Sequence, residues 1–333
     1  MSEPVLQVED LQVEFNTDHG VVRAVRNVSF DLAPGETLGI VGESGSGKSV
    51  TNLAIMGLLP KPPARIEGGK AIFQGRDLLQ LNRKQLSKIR GNRVAMIFQD
   101  PMTALNPFLT VEEQMTEVTR LHLNHSRKQA RHYAIDMLER VGIAAADRRI
   151  DEYPHQFSGG MRQRVMIAMA LSCKPDVLIA DEPSTALDVT IQAQILELMR
   201  DLQREQGTSI IMITHDMGVV ATICHRVLVM YAGRIIEQAS CEDLFATPHH
   251  PYTQGLLRSV PRWDGDGSTE LYAIDGQPPD LTNLPPGCAF NPRCRHTESR
   301  CQTEHQQLAQ LGDDRKVACW KHDAIDAEEK SHG

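Results

Sequence analysis

The sequence contains no apolar run that approaches the roughly 20 residues needed to cross a bilayer as a helix. The longest candidates, such as residues 165–171, are short and predict core segments. The first ten residues, MSEPVLQVED, also lack the basic start and the apolar stretch of a signal peptide. We therefore expect the chain to stay in the cytosol and to reach a membrane only through a partner.

Positive charge is scarce relative to negative charge. Lys and Arg number 35 against 43 Asp and Glu, which gives a formal net charge of −8. A nucleic-acid partner favours a basic surface, so this balance argues against one. The 333 residues, of which 41% are hydrophobic, suffice for one large domain or two modest ones with a substantial core.

Tight C-x2-C pairs are absent from the seven cysteines. Cys173, Cys224 and Cys241 are scattered, and we expect each to pack as a small apolar residue. The remaining four, spaced C-x5-C-x6-C-x17-C, are Cys288, Cys294, Cys301 and Cys319. In a reducing compartment such a cluster indicates a metal site rather than disulfides. Four thiolates can hold an iron–sulfur cluster. His296 and His322 also make a zinc site possible. The third alternative is four thiols that bind no metal.

Short apolar runs alternate with helix-like segments along the chain. The runs occupy residues 38–41, 94–98, 177–180 and 209–214. Runs of this length between polar residues predict strands that are buried on both faces, and hence a parallel sheet. Ligands gather at the carboxyl ends of such strands, and each run here leads into a loop or side chain capable of chemistry.

Other segments have different patterns. Residues 5–30 alternate around a turn signal at 18–20 and predict an antiparallel hairpin region. Helical patterns occur at residues 112–121, 127–141 and 192–206. The composition changes after residue 252 and becomes rich in proline and glycine at 276–287, which predicts a domain boundary near residue 255.

The chemistry of the chain begins at residues 42–49, GESGSGKS, which fit the phosphate-loop pattern G-x-x-x-x-G-K-S between an apolar strand and a helical stretch. Glycines allow backbone N–H groups to converge on phosphate oxygens at a helix N-terminus. Lys48 adds a positive charge at the β- and γ-phosphates, and the Ser49 hydroxyl suits Mg²⁺.

Paired carboxylates close a second strand. Asp181 and Glu182 follow the apolar run at residues 177–180. Such a pair can divide its roles, with Asp181 on Mg²⁺ and Glu182 on the attacking water. Gln99 and His215 each follow a strand, where Gln99 could sense Mg²⁺ and water and His215 could bond the γ-phosphate.

A second candidate anion site lies at Ser158-Gly159-Gly160, which opens a helix running to about residue 172. A serine N-cap would explain Ser158 alone. Two glycines in the first turn cost helix stability, however, and such a cost fits a backbone that a phosphate approaches closely.

Taken in order, these features resemble the ATP-binding cassette (ABC) ATPases over residues 5–245. The set consists of residues 42–49, Gln99, Ser158, Gly159, Gly160, residues 177–182, residues 184–188 and His215. The resemblance implies that two cassettes enclose two ATP molecules, with the serine–glycine–glycine signature of one facing the phosphate loop of the other. It also implies that Phe15 stacks on adenine and that Asp188 communicates across the dimer. The ATP-binding residues expected on these grounds are Phe15, Gly42, Ser44, Gly45, Gly47, Lys48 and Ser49.

Four short segments resemble the oligopeptide and dipeptide permease branch of this family. They are residues 99–107, 157–164, 250–257 and 287–294. C-terminal segments of this kind are associated with a [4Fe–4S] cluster in that branch, so the resemblance favours a structural cluster over zinc. The fold expected is α/β: a P-loop ATPase core with an antiparallel β region, a helical subdomain at about residues 106–170, and a small cysteine-containing accessory domain. The expected domains are residues 1–255 and 256–333.

The resemblance implies an ATP-hydrolysing subunit of an importer at the cytoplasmic face of the cell inner membrane. Its expected partners are a second, paralogous cassette, two transmembrane permease subunits and an external solute-binding protein. Nickel and glutathione importers share this type of ATPase, and soluble cassettes that act on nucleic acid or ribosomes carry the same motifs. A non-catalytic cassette is disfavoured because Glu182 and His215 are both present.

Overall fold

The computed structural model describes residues 3–183, 187–259, 273–312 and 314–322. Its strands are β1 (Leu6–Thr17), β2 (Gly20–Leu32), β3 (Thr37–Val41), β4 (Ala64–Phe73), β5 (Arg76–Asp77), β6 (Val94–Ile97), β7 (Val177–Asp181), β8 (Ser209–Ile213), β9 (Arg226–Tyr231), β10 (Arg234–Ser240), β11 (Ala309–Gln310) and β12 (Lys316–Val317).

Its α-helices are α1 (Lys48–Ile55), α2 (Arg83–Leu86), α3 (Pro101–Ala104), α4 (Val111–His122), α5 (Arg127–Arg140), α6 (Ala146–Arg149), α7 (Gly159–Leu171), α8 (Val189–Gln206), α9 (Met217–Ile223), α10 (Cys241–Ala246), α11 (Pro251–Arg258) and α12 (Ser299–Thr303). Among the described residues, no helix combines the length and apolarity needed to cross a bilayer.

The chain divides into two compact units. The described residues of the first lie within Met1–Leu6, Leu32–Thr37 and Phe73–Ile213. Those of the second lie within Gln7–Asp31, Leu38–Ile72 and Thr214–Gly333.

The first unit contains three of the predicted buried strands. β6 pairs in parallel with β7, and β7 pairs in parallel with β8. Every residue of the three strands is buried, which confirms that these largely apolar runs are covered on both faces. Helices α4, α5 and α7 pack against one another in this unit. The first two begin at capping boxes, in which Thr110 and Ser126 accept bonds from the third residue of each helix.

The second unit mixes parallel and antiparallel pairing. β3 pairs in parallel with β9, and β9 pairs antiparallel with β10, which continues to β12 and β11. In a separate sheet, β1 lies between β2 and β4, and a turn at residues 18–19 joins β1 to β2 as the alternation predicted. These pairings define a mixed α/β fold. The glycine-rich loop, residues 42–49, directly follows β3.

Candidate nucleotide-binding site

The phosphate loop, residues 42–49, begins where β3 ends and runs into α1. Gly42 and Gly47 have φ angles of +148° and +103°. A Cβ on Gly42 would lie 2.2 Å from the carbonyl oxygen of Met230, and one on Gly47 would lie 2.4 Å from that of Ala24. Both positions therefore require glycine, for conformational and for steric reasons.

Lys48 lies inside this loop. Its side chain is buried, and Nζ donates hydrogen bonds to the carbonyl oxygens of Gly42 (2.6 Å) and Glu43 (2.9 Å) and to Ser46 Oγ (3.4 Å). Helix α1 starts at Lys48, and no described side chain caps its first turn behind Gly47. An uncapped N-terminus beside a fixed ammonium group fits an anionic phosphate chain.

The other predicted ATP-binding residues lie in the same unit. Ser44 and Gly45 are exposed at the tip of the loop, and Ser49 is half-buried in the first turn of α1. Phe15 is half-buried near the end of β1. The loop therefore presents its central residues to an incoming ligand while its two ends stay buried.

His215 borders the start of the phosphate loop. It follows β8 and is exposed. A cleft of about 470 Å³ has a lining that includes His215, Gly42, Glu43, Leu256 and Ser259. The structure thus brings His215 to the loop, although the two are about 170 positions apart in sequence.

The predicted catalytic carboxylates lie in the first unit. Asp181 is 3% exposed at the end of β7. Glu182 has φ +48°, a conformation that costs a non-glycine residue about 1 kcal/mol or more. Its backbone N–H donates to Ile213 O at 2.9 Å, and Gln99 Nε2 donates to its Oε2 at 3.0 Å. In this strained conformation the Glu182 carboxylate accepts a hydrogen bond from Gln99, a contact that the sequence did not predict.

Gln163 supports the same turn from helix α7. It is completely buried, and its Nε2 donates to the carbonyl oxygen of Pro183 at 2.5 Å. Sequence reasoning noted Gln163 only as part of a branch marker, because nothing local connects it with Glu182. The sequence carried no signal for this contact, because Gln163 lies between Arg162 and Arg164 and its burial appears only in the structure.

The signature residues stand at the start of α7. Ser158 is the N-cap, and its Oγ accepts from Met161 N at 3.3 Å. A hydroxyl that accepts one bond can still donate its own proton. Gly159 is exposed, and a Cβ built there would meet no described atom within 4 Å. No crowding within the described chain therefore demands this glycine, so its small size is available to an external group.

Asp188 caps helix α8. Its Oδ1 accepts from Ile191 N at 3.0 Å. Burial lowers the pKa of Arg164, in the signature helix, and the nearby Asp188 carboxylate opposes that shift. Asp188 therefore lies within electrostatic range of the signature helix. The preceding motif residues 184–186 lie outside the described residues.

The prediction of a [4Fe–4S] cluster on Cys288, Cys294, Cys301 and Cys319 is wrong. The described residues include all four, and among them no group of three or more His, Cys, Asp or Glu side chains is arranged to hold a metal ion. Burial raises the pKa of Cys294 to about 11 and that of Cys319 to about 12. The zinc alternative has no support among the described residues either.

Comparisons with known proteins agree with this geometry. The ABC transporter family matches residues 25–185, and a second family, described as the oligopeptide/dipeptide transporter C-terminal region, matches residues 236–301. The dipeptide transport ATP-binding protein DppD of Bacillus subtilis is 54% identical over 96% of each chain. The oligopeptide transport ATP-binding protein OppD of Escherichia coli is 53% identical over 96% of this chain and 94% of its own.

Solved structures share the fold. A dimeric, post-hydrolysis ATP-binding cassette bound to ADP and Pi superimposes with a TM-score of 0.65 and 26% identity, over 71% of this chain and 98% of its own. The protein cbiO1 of Clostridium perfringens, part of an ABC transporter complex, gives a TM-score of 0.59 and 29% identity, over 74% and 92% of the two chains.

Strand, phosphate loop and helix together define a nucleotide-binding ATPase of the ABC type. More narrowly, the chain belongs to the family of oligopeptide and dipeptide ABC transporter ATP-binding subunits.

Proposed function

We propose that this chain hydrolyses ATP to drive an ABC importer for oligopeptides or dipeptides. The observation that carries the proposal is the 54% identity, over 96% of both chains, to a dipeptide transport ATP-binding protein. The buried Lys48 inside a glycine loop supports the ATP-binding part of the proposal independently of that identity.

In this proposal the phosphate loop binds ATP. Lys48 contacts the β- and γ-phosphates, the uncapped N–H groups of α1 receive phosphate oxygens, and Phe15 stacks on the adenine. Ser49, Gln99 and Asp181 offer the oxygen ligands that Mg²⁺ prefers. When bound, Mg²⁺ would neutralise charge on the phosphates.

Glu182 takes the role of general base. Its carboxylate would orient a water molecule and accept the proton that the water loses as it attacks the γ-phosphorus. Gln99 holds one carboxylate oxygen at 3.0 Å, which limits the rotation of the side chain. His215 would donate a hydrogen bond to the γ-phosphate.

The signature residues act on the nucleotide of a partner cassette. The Ser158 hydroxyl accepts one bond and can still donate its own proton, and no described atom lies within 4 Å of a Cβ placed on Gly159. Asp188, within electrostatic range of that helix, would relay the state of one cassette to the other.

Changing Gly160 to Asp tests the action in trans. The added carboxylate would repel a γ-phosphate at the start of α7, so we expect loss of ATP-dependent pairing with the partner cassette and unchanged ATP binding by this chain's own loop. Size-exclusion chromatography with ATP measures pairing. The chain used also carries Glu182→Gln, which we expect to slow ATP hydrolysis so that the paired state lasts. Gly312→Asp adds the same charge at an exposed tail glycine and should still pair. Normal pairing by Gly160→Asp would refute the proposal.

We further propose that the subunit sits at the cytoplasmic face of the inner membrane with a paralogous cassette, two permease subunits and an external solute-binding protein. The cysteine-containing segment from residue 256 is proposed as an accessory domain, and residues 106–170 as a helical subdomain. α11 runs through the predicted boundary at residue 255, so the accessory domain would follow without a break in the helix.

Uptake measurements test the substrate class. A strain that lacks this gene should lose uptake of labelled dipeptides or longer peptides and regain it on complementation. If the strain retains peptide uptake but loses uptake of nickel or glutathione, the subunit would instead be assigned to a nickel or glutathione importer. The comparisons do not favour these alternatives or a nucleic-acid-acting cassette.

A further inference from the structure

Arg293, in the C-terminal tail, makes a two-pronged ion pair with the phosphate-loop residue Glu43. Its Nη1 lies 2.7 Å from Glu43 Oε2, and its Nη2 lies 2.9 Å from Glu43 Oε1. Its remaining N–H groups reach the carbonyl oxygens of Asp275 and Ile274 and the hydroxyl of Tyr231. All five donors of a guanidinium group are thus in use, which an ammonium group with three donors could not reproduce.

The ion pair is partly shielded from solvent, most strongly on the side of Arg293. The side chain of Arg293 is 5% exposed and that of Glu43 is 26% exposed. The guanidinium carbon lies 5.9 Å from the ring centres of both Tyr231 and Phe290. Bidentate bonds between full charges in such surroundings are short and geometrically selective, so the pair fixes where Glu43 lies.

Glu43 is held at its backbone as well. Its N–H donates to the hydroxyl of Tyr252 at 2.7 Å, and its carbonyl oxygen accepts from Lys48 Nζ at 2.9 Å and from Ser46 N at 3.2 Å. Arg293 therefore acts on the residue whose carbonyl oxygen holds the phosphate-binding ammonium group. Glu43 joins the tail to Lys48.

We propose that Arg293 is a positioning residue for the phosphate loop: through Glu43 it holds the loop and Lys48 in the conformation that binds ATP. A loop held in its binding conformation loses less conformational freedom when ligand arrives, and this raises affinity without any new contact to the ligand. The proposal rests on the phosphate loop being the ATP site. It also gives the tail, about 250 positions away in sequence, a role in nucleotide binding.

Equilibrium dialysis of labelled ATP with Mg²⁺ against the full chain tests the proposal. Arg293→Met and Glu43→Gln should each weaken ATP binding about tenfold, within the range of coupling seen between contacting residues. The double variant should bind no more weakly than either single one, because both remove the same contact. Arg293→Lys keeps the charge and should recover part of the loss.

Arg300→Met is the matched control. Arg300 also lies in the tail, pairs with Glu304 and covers the Trp320 ring, but it makes no described contact with the loop. The Arg300→Met variant should bind ATP with the affinity of the unmodified chain. Unchanged affinity of both Arg293→Met and Glu43→Gln, additive losses in the double variant, or an equal loss in Arg300→Met would each overturn the proposal. If Arg293→Met fails to fold, the ATP affinity of Glu43→Gln alone tests the proposal. In that variant Arg293 keeps its bonds to the carbonyl oxygens of Asp275 and Ile274, so the fold of the tail is preserved.

Lys48→Ala separates this proposal from the one on which it rests. If Lys48→Ala weakens ATP binding and Arg293→Met does not, the loop is the ATP site and only the role of Arg293 fails. If Lys48→Ala also binds ATP normally, the ATP site itself is misassigned.

Discussion

Replacement of Glu182 by Gln should slow ATP hydrolysis by about 10²- to 10⁴-fold, the usual contribution of a general base, while ATP still binds. The amide keeps the size of the side chain and can still meet Gln99, but it cannot accept a proton from water. Asp181, the proposed Mg²⁺ ligand, is unchanged. Phosphate release by the assembled transporter and equilibrium binding of labelled ATP measure the two effects separately.

Glu205→Gln provides the matched control for this experiment. Glu205 is exposed near the end of α8, and its replacement removes the same charge from the same unit. It should hydrolyse ATP at the unmodified rate. Hydrolysis by Glu182→Gln within a factor of about two of the control would contradict a catalytic base at this position.

Replacement of Lys48 by Ala should weaken ATP binding by about 10- to 100-fold, because a hydrogen bond to a charged group contributes about 1.5–3 kcal/mol. The change removes the ammonium group that we propose contacts the phosphates, and also its bonds to the carbonyl oxygens of Gly42 and Glu43. Equilibrium binding of labelled ATP with Mg²⁺ gives the affinity.

A surface lysine in the same unit controls for the loss of charge. Lys70, on β4, makes a long contact of 3.7 Å with Glu9 and is largely exposed. Lys70→Ala should bind ATP normally. Affinities that are equal for the two variants would mean that Lys48 does not contact the nucleotide.

The predictable parts of the fold are those with a local cause. Largely apolar runs of four to six residues predicted β3, β6, β7 and β8 to within a residue or two at each end, because a strand covered on both faces has mostly apolar positions. The phosphate loop was predictable because Gly42 and Gly47 must adopt φ angles that other residues avoid. The same holds for Ser158, whose cap depends on the residue three positions ahead.

The wrong prediction of a metal site on the four C-terminal cysteines shows what the spacing of residues along the chain cannot predict. Four cysteines within 32 positions predicted a metal site, yet ligation depends on how the side chains are arranged in space, and no suitable group is found among the described residues. Spacing along the chain carries no information about that arrangement, because the packing of the folded chain sets where each thiol lies.

By itself, the sequence determined that this chain has a phosphate loop, a strand ending in two carboxylates, and a signature helix, because each depends on neighbours within a few positions. Only the tertiary structure decided which side chains support them. Arg293 meets Glu43 across 250 positions, and Gln163 reaches the Pro183 carbonyl from a different element. Such contacts arise when packing brings distant segments together, and a buried polar group must then find a partner wherever the fold provides one.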